Sequence, residues 1–377
     1  MVLFCMFIEE ENMNFKKVSL SLLAATMLVG CGTSTASKGD ATEGSKEIDE
    51  LNLEFVPSRD PGEIVSATKD LGQLLIDKMA EKGYTIGNVN IAVSDTYEAA
   101  GEALSAGSVD VAWLPGGTYA LYSDETEVIL TATRAGLSND SETPADWNGE
   151  ANKTLKNGDP VTYYRSLIYA TPSKKGQELA AKVNAGEELS WEDIASAKWA
   201  VMNVSSSAGY IYPTMWLMDH YDGKTFNDIN TAGLGGSVTT LDGYATAFMQ
   251  AAAEQVDVIC CYADGRNDYE GAWNLATTEQ DEANHTGLGR TSGKSIWDEL
   301  NVIGVTDKIY NDTVAVTKAN PDIYNDDFKA ALQDSLIELA GTEEGSKIFS
   351  IYSHTGYAKA TDADYDSARA ALKVVTE

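Results

Sequence analysis

Positive charge is scarce in this 377-residue chain: 27 Lys and Arg stand against 58 Asp and Glu, a formal net charge of −31. Without a cation surplus there is little to displace counterions from a phosphate backbone, which argues against a nucleic-acid binder. Histidine is scarcer still, with only His220, His285 and His354, scattered along the chain as capping or surface residues would be. No H-E-x-x-H zinc pair, no G-x-x-x-x-G-K-[ST] phosphate loop and no G-x-S-x-G elbow occurs. The sequence therefore offers no catalytic residue, no metal site and no cofactor, and speaks against an enzyme. Apolar residues make up 43%, with 7 Trp, 18 Tyr and 8 Phe, enough to bury cores over a length of roughly two domains.

Long apolar runs are also missing, with one short exception near the start. Lys16 and Lys17 precede an apolar stretch from Val18 to Val29. That is too short to cross ~30 Å of hydrocarbon as a helix, so residues 1–30 read as an export signal whose natural start is Met13. Leu28-Val29-Gly30-Cys31 resembles a bacterial lipobox, which makes Cys31 the lipidated mature N-terminus, held at the outer face of the cytoplasmic membrane. Residues 31–50 are small, polar and acidic, the composition of a flexible tether. Past Val56 the remaining cysteines are the adjacent Cys260 and Cys261, which read as buried thiols in a strand.

The chain repeats itself at an offset of 147 residues. Residues 95–111 fall on 242–258 with seven of seventeen positions identical, including Asp95/Asp242, Tyr97/Tyr244 and both Val-Asp-Val runs. The same register sets LEFVPS (53–58) against AVMNVS (200–205) and VNIAVSD (89–95) against GSVTTLD (236–242). Each copy alternates strands with helices. In the first, Ile64, Ala67, Leu71, Leu74, Leu75 and Met79 recur at helical spacing until Gly83, and Asp95 with Glu98 suggests a capping box for the next helix. The pattern predicts an α/β fold of two doubly wound lobes joined by a two-strand hinge, with a ligand cleft between them. Lobe one takes residues 51–162 plus 313–377, and lobe two 163–312. The polar segments 137–160 and 265–296 read as surface insertions. Amphipathic helices around 326–340 and 362–374 are expected to pack back on lobe one.

Loops at strand ends carry the candidate site. Ser205-Ser206-Ser207-Ala208 stands directly before a helix, where hydroxyls and unpaired N–H groups can hold an anion without Lys or Arg. The same serines also make an ordinary N-cap. Tyr97 and Tyr244 open equivalent helices, either as paired phenolic donors to a shared ligand or as packed rim residues. Tyr163 and Tyr164 stand where the chain crosses between lobes, and Asp264 and Asp312 follow or precede strands there. A carboxylate beside an anion can accept a P–OH proton or pair with an ammonium, and either use discriminates among ligands.

Taken together, FVPSRDP, SDTYEAAGEALSAGSVDVAWL, YYRSLIY, SSSAGYIYP, QVDV and YNDTVAV resemble the phosphate/phosphite/phosphonate substrate-binding lipoproteins of ABC importers, a periplasmic-binding-protein type II family. The resemblance implies an oxyanion held by Ser206, Ser207 and the Ala208 N–H, with Tyr97, Tyr163 and Tyr244 as further contacts. Asp264 and Asp312 would lie toward the substituent. The chain departs from the family at Ala208, where a hydroxyl is usual, at Tyr244, often His, and at Asp264, elsewhere Glu. Implied partners are a small oxyanion, an ABC permease with its ATPase, and a membrane through the lipid anchor, the protein itself being a monomer. The alternative is the same architecture serving another oxyanion or a nitrogenous precursor.

The acidic surface has a kinetic consequence. An anion approaching a chain of net charge −31 is repelled beyond contact range, and salt screens that repulsion beyond ~8–10 Å. Stopped-flow association of an anionic ligand should accelerate as ionic strength rises; a rate that falls with salt contradicts this.

Overall fold

The computed structural model describes residues 46–376, so the export signal, Cys31 and most of the tether lie outside the described residues. Two sheets organise the chain. The first contains β1 (Glu47–Phe55), β2 (Thr85–Val93), β3 (Val111–Leu114), β4 (Thr126–Leu137), β5 (Lys156–Val161), β11 (Thr313–Thr317) and β12 (His354–Lys359). Its order is β12-β4-β11-β3-β1-β2, with β5 paired to β4. The second contains β6 (Tyr163–Ala170), β7 (Lys198–Val201), β8 (Ser237–Thr240), β9 (Val258–Tyr262) and β10 (Asn301–Tyr310), in the order β10-β6-β9-β7-β8. The fold is mixed α/β.

The internal repeat is visible in the pairing. β1 runs parallel to β2 and β3, and β7 runs parallel to β8 and β9. An antiparallel strand then joins each set, β11 beside β3 and β6 beside β9. The helices Tyr97–Ala106 and Tyr244–Ala252 and the strands β3 and β9 begin 147 residues apart, at the offset of the sequence repeat. The first strands do not keep that offset. Leu53 pairs with Val111 while Trp199 pairs with Val258, so β7 matches β1 at 146 and the loop after β7 gains one residue.

Local chemistry accounts for other differences from the sequence pattern. The apolar periodicity from Ile64 to Met79 is split between helices Pro61–Thr68 and Leu71–Glu81. Thr68 Oγ1 donates back to the Ile64 carbonyl at 2.9 Å, a side-chain bond that competes with continuing the helix. Thr96, not Asp95, caps the helix Tyr97–Ala106 by accepting from the Ala99 N–H at 3.1 Å, and Gly107 closes it at φ 75°. Strand β1 starts at Glu47, inside the stretch expected to be tether.

The segment 137–160 is more than a surface insertion, because it adds β5 to the first sheet and buries Trp147. Arg266, on the helix Gly265–Trp273, holds it in place. The guanidinium is fully buried, donates to the carbonyls of Trp147 at 2.8 Å and Leu300 at 3.2 Å, and lies 4.2 Å from the Trp297 ring centre. The helix Asp326–Ala340 packs on Leu71–Glu81 and β12, within the core of the first sheet. The helix Asp366–Thr376 touches both Gly116–Tyr122 and Tyr212–His220, so it spans elements attached to the two sheets. Cys260 and Cys261 are buried free thiols in β9.

The chain passes between the sheets at Thr162 and again at Asn311-Asp312. Asn311 knots these crossings: its N–H donates to the Thr162 carbonyl at 2.9 Å, and its Nδ2 donates to Ala132 and Val161 carbonyls at 2.9 and 3.0 Å.

Arg266→Ala leaves the Trp147 and Leu300 carbonyls unpaired and opens a void, so chemical denaturation should show a loss of about 3 kcal/mol. Unchanged stability would show that segment 137–160 is not anchored through Arg266.

Candidate functional site

The loop ends of both sheets converge on a cavity of about 30 Å³. From the first sheet's part of the chain come Arg59, Tyr97, Arg134 and Tyr352, from the crossing Asp312, and from the second Tyr164, Ser206, Ser207, Ala208, Tyr244 and Tyr262. A water-sized sphere needs about 10–15 Å³ on such a measure, so the space suits a group of a few heavy atoms.

Ser206 caps a short π-helical turn, Ser207–Ile211, accepting from the Gly209 N–H at 3.2 Å, and its hydroxyl lies 3.2 Å from the Tyr244 oxygen. Ser207 Oγ accepts from the Gly117 N–H at 3.0 Å, which frees its own hydrogen for another acceptor. The Ser207 and Ala208 N–H groups open the turn, where no intrahelical carbonyl stands behind them. The turn can sit this close only because residue 117 is glycine: a Cβ there would lie 2.6 Å from the Ser205 carbonyl. Ser205 itself is turned away, donating to Glu98 at 2.8 Å.

Two arginines enter that the sequence pattern did not single out. Arg59 Nη2 pairs with Asp268 at 2.5 Å and with the Ser353 hydroxyl at 3.2 Å. Arg134 donates to Asp264 at 3.3 Å and Asp312 at 3.4 Å, and its guanidinium lies over Tyr164 at 4.6 Å and Tyr262 at 5.5 Å. Burial works against both cations, yet the neighbouring carboxylates hold both guanidiniums firmly charged. Lys156 completes the cluster, 2.6 Å from Asp268 and 3.6 Å from Asp264. Three cations thus face three carboxylates, and the cluster is electrically balanced. Even so, three buried donors that line the cavity have no partner: Arg59 Nη1, Arg134 Nε and the Tyr262 hydroxyl. Burial pushes the phenols of Tyr97, Tyr164, Tyr244 and Tyr262 up, so all four remain proton donors.

The residues singled out from sequence fall into two groups. Tyr97, Ser206, Ser207, Ala208, Tyr244 and Asp312 line this cavity. Tyr163 and Asp264 do not; both face a neighbouring cavity of about 230 Å³ beyond Arg134. Successive side chains of a strand point to opposite sides, and in β6 it is Tyr164 that reaches the first cavity while Tyr163 donates to Asp140 at 3.3 Å. Asp264 acts behind the wall, as a partner of Arg134. Arg134 had a sequence signal: it is a charge inside the mostly buried strand TEVILTATRAGL, and charges there are almost always paired. Arg59 follows Ser58 in the loop already equated with the serine turn. Of the histidines, His354 is buried and joins the site from behind, with Nε2 3.3 Å from Asp312.

The salt bridges make the site acid-sensitive. Burial alone would raise the Asp268 carboxyl, but Arg59 and Lys156 hold it well below the usual carboxylate range. Its stabilising contribution is complete above the unfolded value of about 3.9 and is lost as pH falls toward the depressed folded value. Melting temperature should therefore drop between about pH 5 and pH 2, and Asp268→Asn should be less stable at neutral pH with a flatter acid limb. An Asn variant with an unchanged acid limb would show that Asp268 is not paired this way.

A family model described as ABC transporter, phosphonate, periplasmic substrate-binding protein matches residues 53–365. A search of curated proteins found no match. A binding protein component of an ABC phosphonate transporter from Pseudomonas aeruginosa superposes with TM-score 0.57 at 14% identity, covering 86% of this chain and 85% of that one. PhnD1 from Prochlorococcus marinus, solved with methylphosphonate, gives 0.57 at 12%, covering 86% and 97%. XAC2383 from Xanthomonas citri, solved with ATP, gives 0.54 at 13%, covering 87% and 98%. At such identities these structures are similar in fold.

Proposed function

The chain belongs to the periplasmic substrate-binding proteins of ABC phosphonate transporters, and from that premise we propose that it captures a small phosphorus oxyanion (phosphonate, phosphite or phosphate) in the cavity between its two sheets and delivers it to a permease. The family is one of transporter solute-binding proteins and not of enzymes.

One observation carries the ligand reading: Arg59 Nη1, Arg134 Nε and the Tyr262 hydroxyl are buried at the cavity with no acceptor. An unpaired buried donor costs about 1–3 kcal/mol, and more on a charged group. A tetrahedral oxyanion supplies several acceptor oxygens at one place and would also meet Ser206, Ser207, the Ala208 N–H, Tyr97 and Tyr244. Two arginine donors bring charge-assisted bonds, roughly twice as strong as neutral ones. The small cavity favours methylphosphonate, phosphite or phosphate over a nucleotide-sized ligand.

The ligand would touch both halves of the chain, residues 51–162 with 313–377 and residues 163–312. Binding then favours a closed arrangement of two lobes by its differential affinity. The crossings at Thr162 and Asn311-Asp312 are the hinge in this reading. Gly117, Thr118 and Glu98 meet Ser205 and Ser207 across the seam, an arrangement that fits a closed state. Export and two acyl chains on Cys31 would keep the monomer at the outer membrane face. A tether of ~15–20 residues gives it a reach of about 20–25 Å toward the permease.

The exported chain without its lipidated Cys31, residues 32–377, should gain thermal stability with methylphosphonate, phosphite or phosphate. Tyr262→Phe should weaken that binding about 5–30-fold while leaving the ligand-free protein as stable or slightly more so, because the lost hydroxyl had no partner. No shift with any phosphorus oxyanion, alongside a shift with an unrelated solute, rejects the reading.

A further inference from the structure

The ion pairs around the cavity are divided between the two sheets by sign. Arg59 follows β1, Arg134 lies in β4 and Lys156 opens β5, so all three cations belong to the first sheet. Asp264 and Asp268 follow β9 of the second sheet, at the start of the helix Gly265–Trp273. Carboxylates are favoured at that place, because a helix N-terminus carries partial positive charge. Four pairs cross from one sheet's part of the chain to the other: Arg59–Asp268 at 2.5 Å, Lys156–Asp268 at 2.6 Å, Arg134–Asp264 at 3.3 Å and Lys156–Asp264 at 3.6 Å.

Neither side has a substitute on its own sheet. The Asp268 carboxylate makes its hydrogen bonds with the first sheet's part alone, to Arg59, Lys156 and the Ser353 hydroxyl. Among the described residues, Asp264 and Asp268 pair with no cation of residues 163–312, and Arg59 and Lys156 pair with no carboxylate of their own part. The side chains of Arg59, Asp264 and Asp268 are only 5%, 6% and 9% exposed, so salt screens these pairs weakly. Separating the two parts about the crossings at Thr162 and Asn311-Asp312 would break all four pairs. Joining them without the two carboxylates would crowd three cations together. An attraction whose members sit on different lobes acts on closure itself, and desolvation offsets part of it, which leaves the contact able to open. Asp264 and Asp268 do not line the cavity, so this attraction needs no ligand.

We propose that Asp264 and Asp268 form an electrostatic latch that closes the two lobes in the absence of ligand, so that a ligand enters and leaves only when the latch opens. The proposal rests on the two-lobed hinge reading above and not on which oxyanion binds. A latch common to the empty and the loaded closed states slows entry and exit together. Loss of a direct ligand contact speeds exit alone. The two rates therefore separate a latch from a ligand contact.

Small-angle X-ray scattering of residues 32–377 without ligand, together with stopped-flow binding of methylphosphonate, tests this. The ligand-free wild type should already be compact and keep its radius of gyration when methylphosphonate is added. Asp268→Asn should expand without ligand and compact with it, its association and dissociation both at least tenfold faster. Lys156→Met leaves the cavity lining intact and provides a second variant should the Asn form fold poorly. It should move both rates in the same direction, and the wild-type scattering needs neither variant. A ligand-free wild type that is expanded and compacts on binding overturns the latch. So does a folded Asp268→Asn that stays as compact as the wild type, or one in which dissociation alone accelerates. Expansion of the ligand-free variant relative to a compact wild type, with no binding of methylphosphonate, phosphite or phosphate to either, supports the latch and rejects the oxyanion reading instead.

Discussion

A buried polar group must be paired, and this site leaves three donors unpaired at one small cavity. Other buried polar atoms also lack a partner, Arg266 Nε, Trp297 Nε1 and Asn311 Oδ1 among them, but none of those residues lines this cavity. What sets Arg59 Nη1, Arg134 Nε and the Tyr262 hydroxyl apart is that all three residues line one cavity, and in the proposed function an outside oxyanion would complete their bonding. The surrounding ion pairs serve the same end. Asp264, Asp268 and Asp312 keep the two arginines charged and fixed in direction, so a ligand at this cavity would meet donors already oriented.

Bulk charge and local charge point in different directions here. A net charge of −31 describes a solvated exterior, whereas the cluster at and behind the cavity wall pairs three cations with three carboxylates, beside a lining rich in hydroxyls. Such a site takes its affinity from hydrogen bonds and fixed dipoles more than from net positive charge.

Much of this architecture was legible in sequence. Periodicity and the internal repeat exposed the alternation of strands and helices, and the repeat alone brought Tyr97 and Tyr244 to equivalent helix starts. The serine turn was recognisable because hydroxyls before a helix have a local signature. What the sequence hid depended on register and burial. Tyr163 and Tyr164 are adjacent, and only the pairing of β6 decides which one reaches the cavity. Arg59 and Arg134 are separated by 75 residues in sequence (134 − 59), and nothing local says that one cavity gathers them. The one-residue slip between β1 and β7 was likewise invisible to an ungapped repeat.

The central claim is that the unpaired donors belong to the ligand, and a crystal structure of the exported chain with methylphosphonate tests it most directly. The account predicts phosphonate oxygens within about 2.7–3.2 Å of Arg59 Nη1, Arg134 Nε and the Tyr262 hydroxyl. A phosphonate bound elsewhere, with those three donors still unpaired, would contradict it.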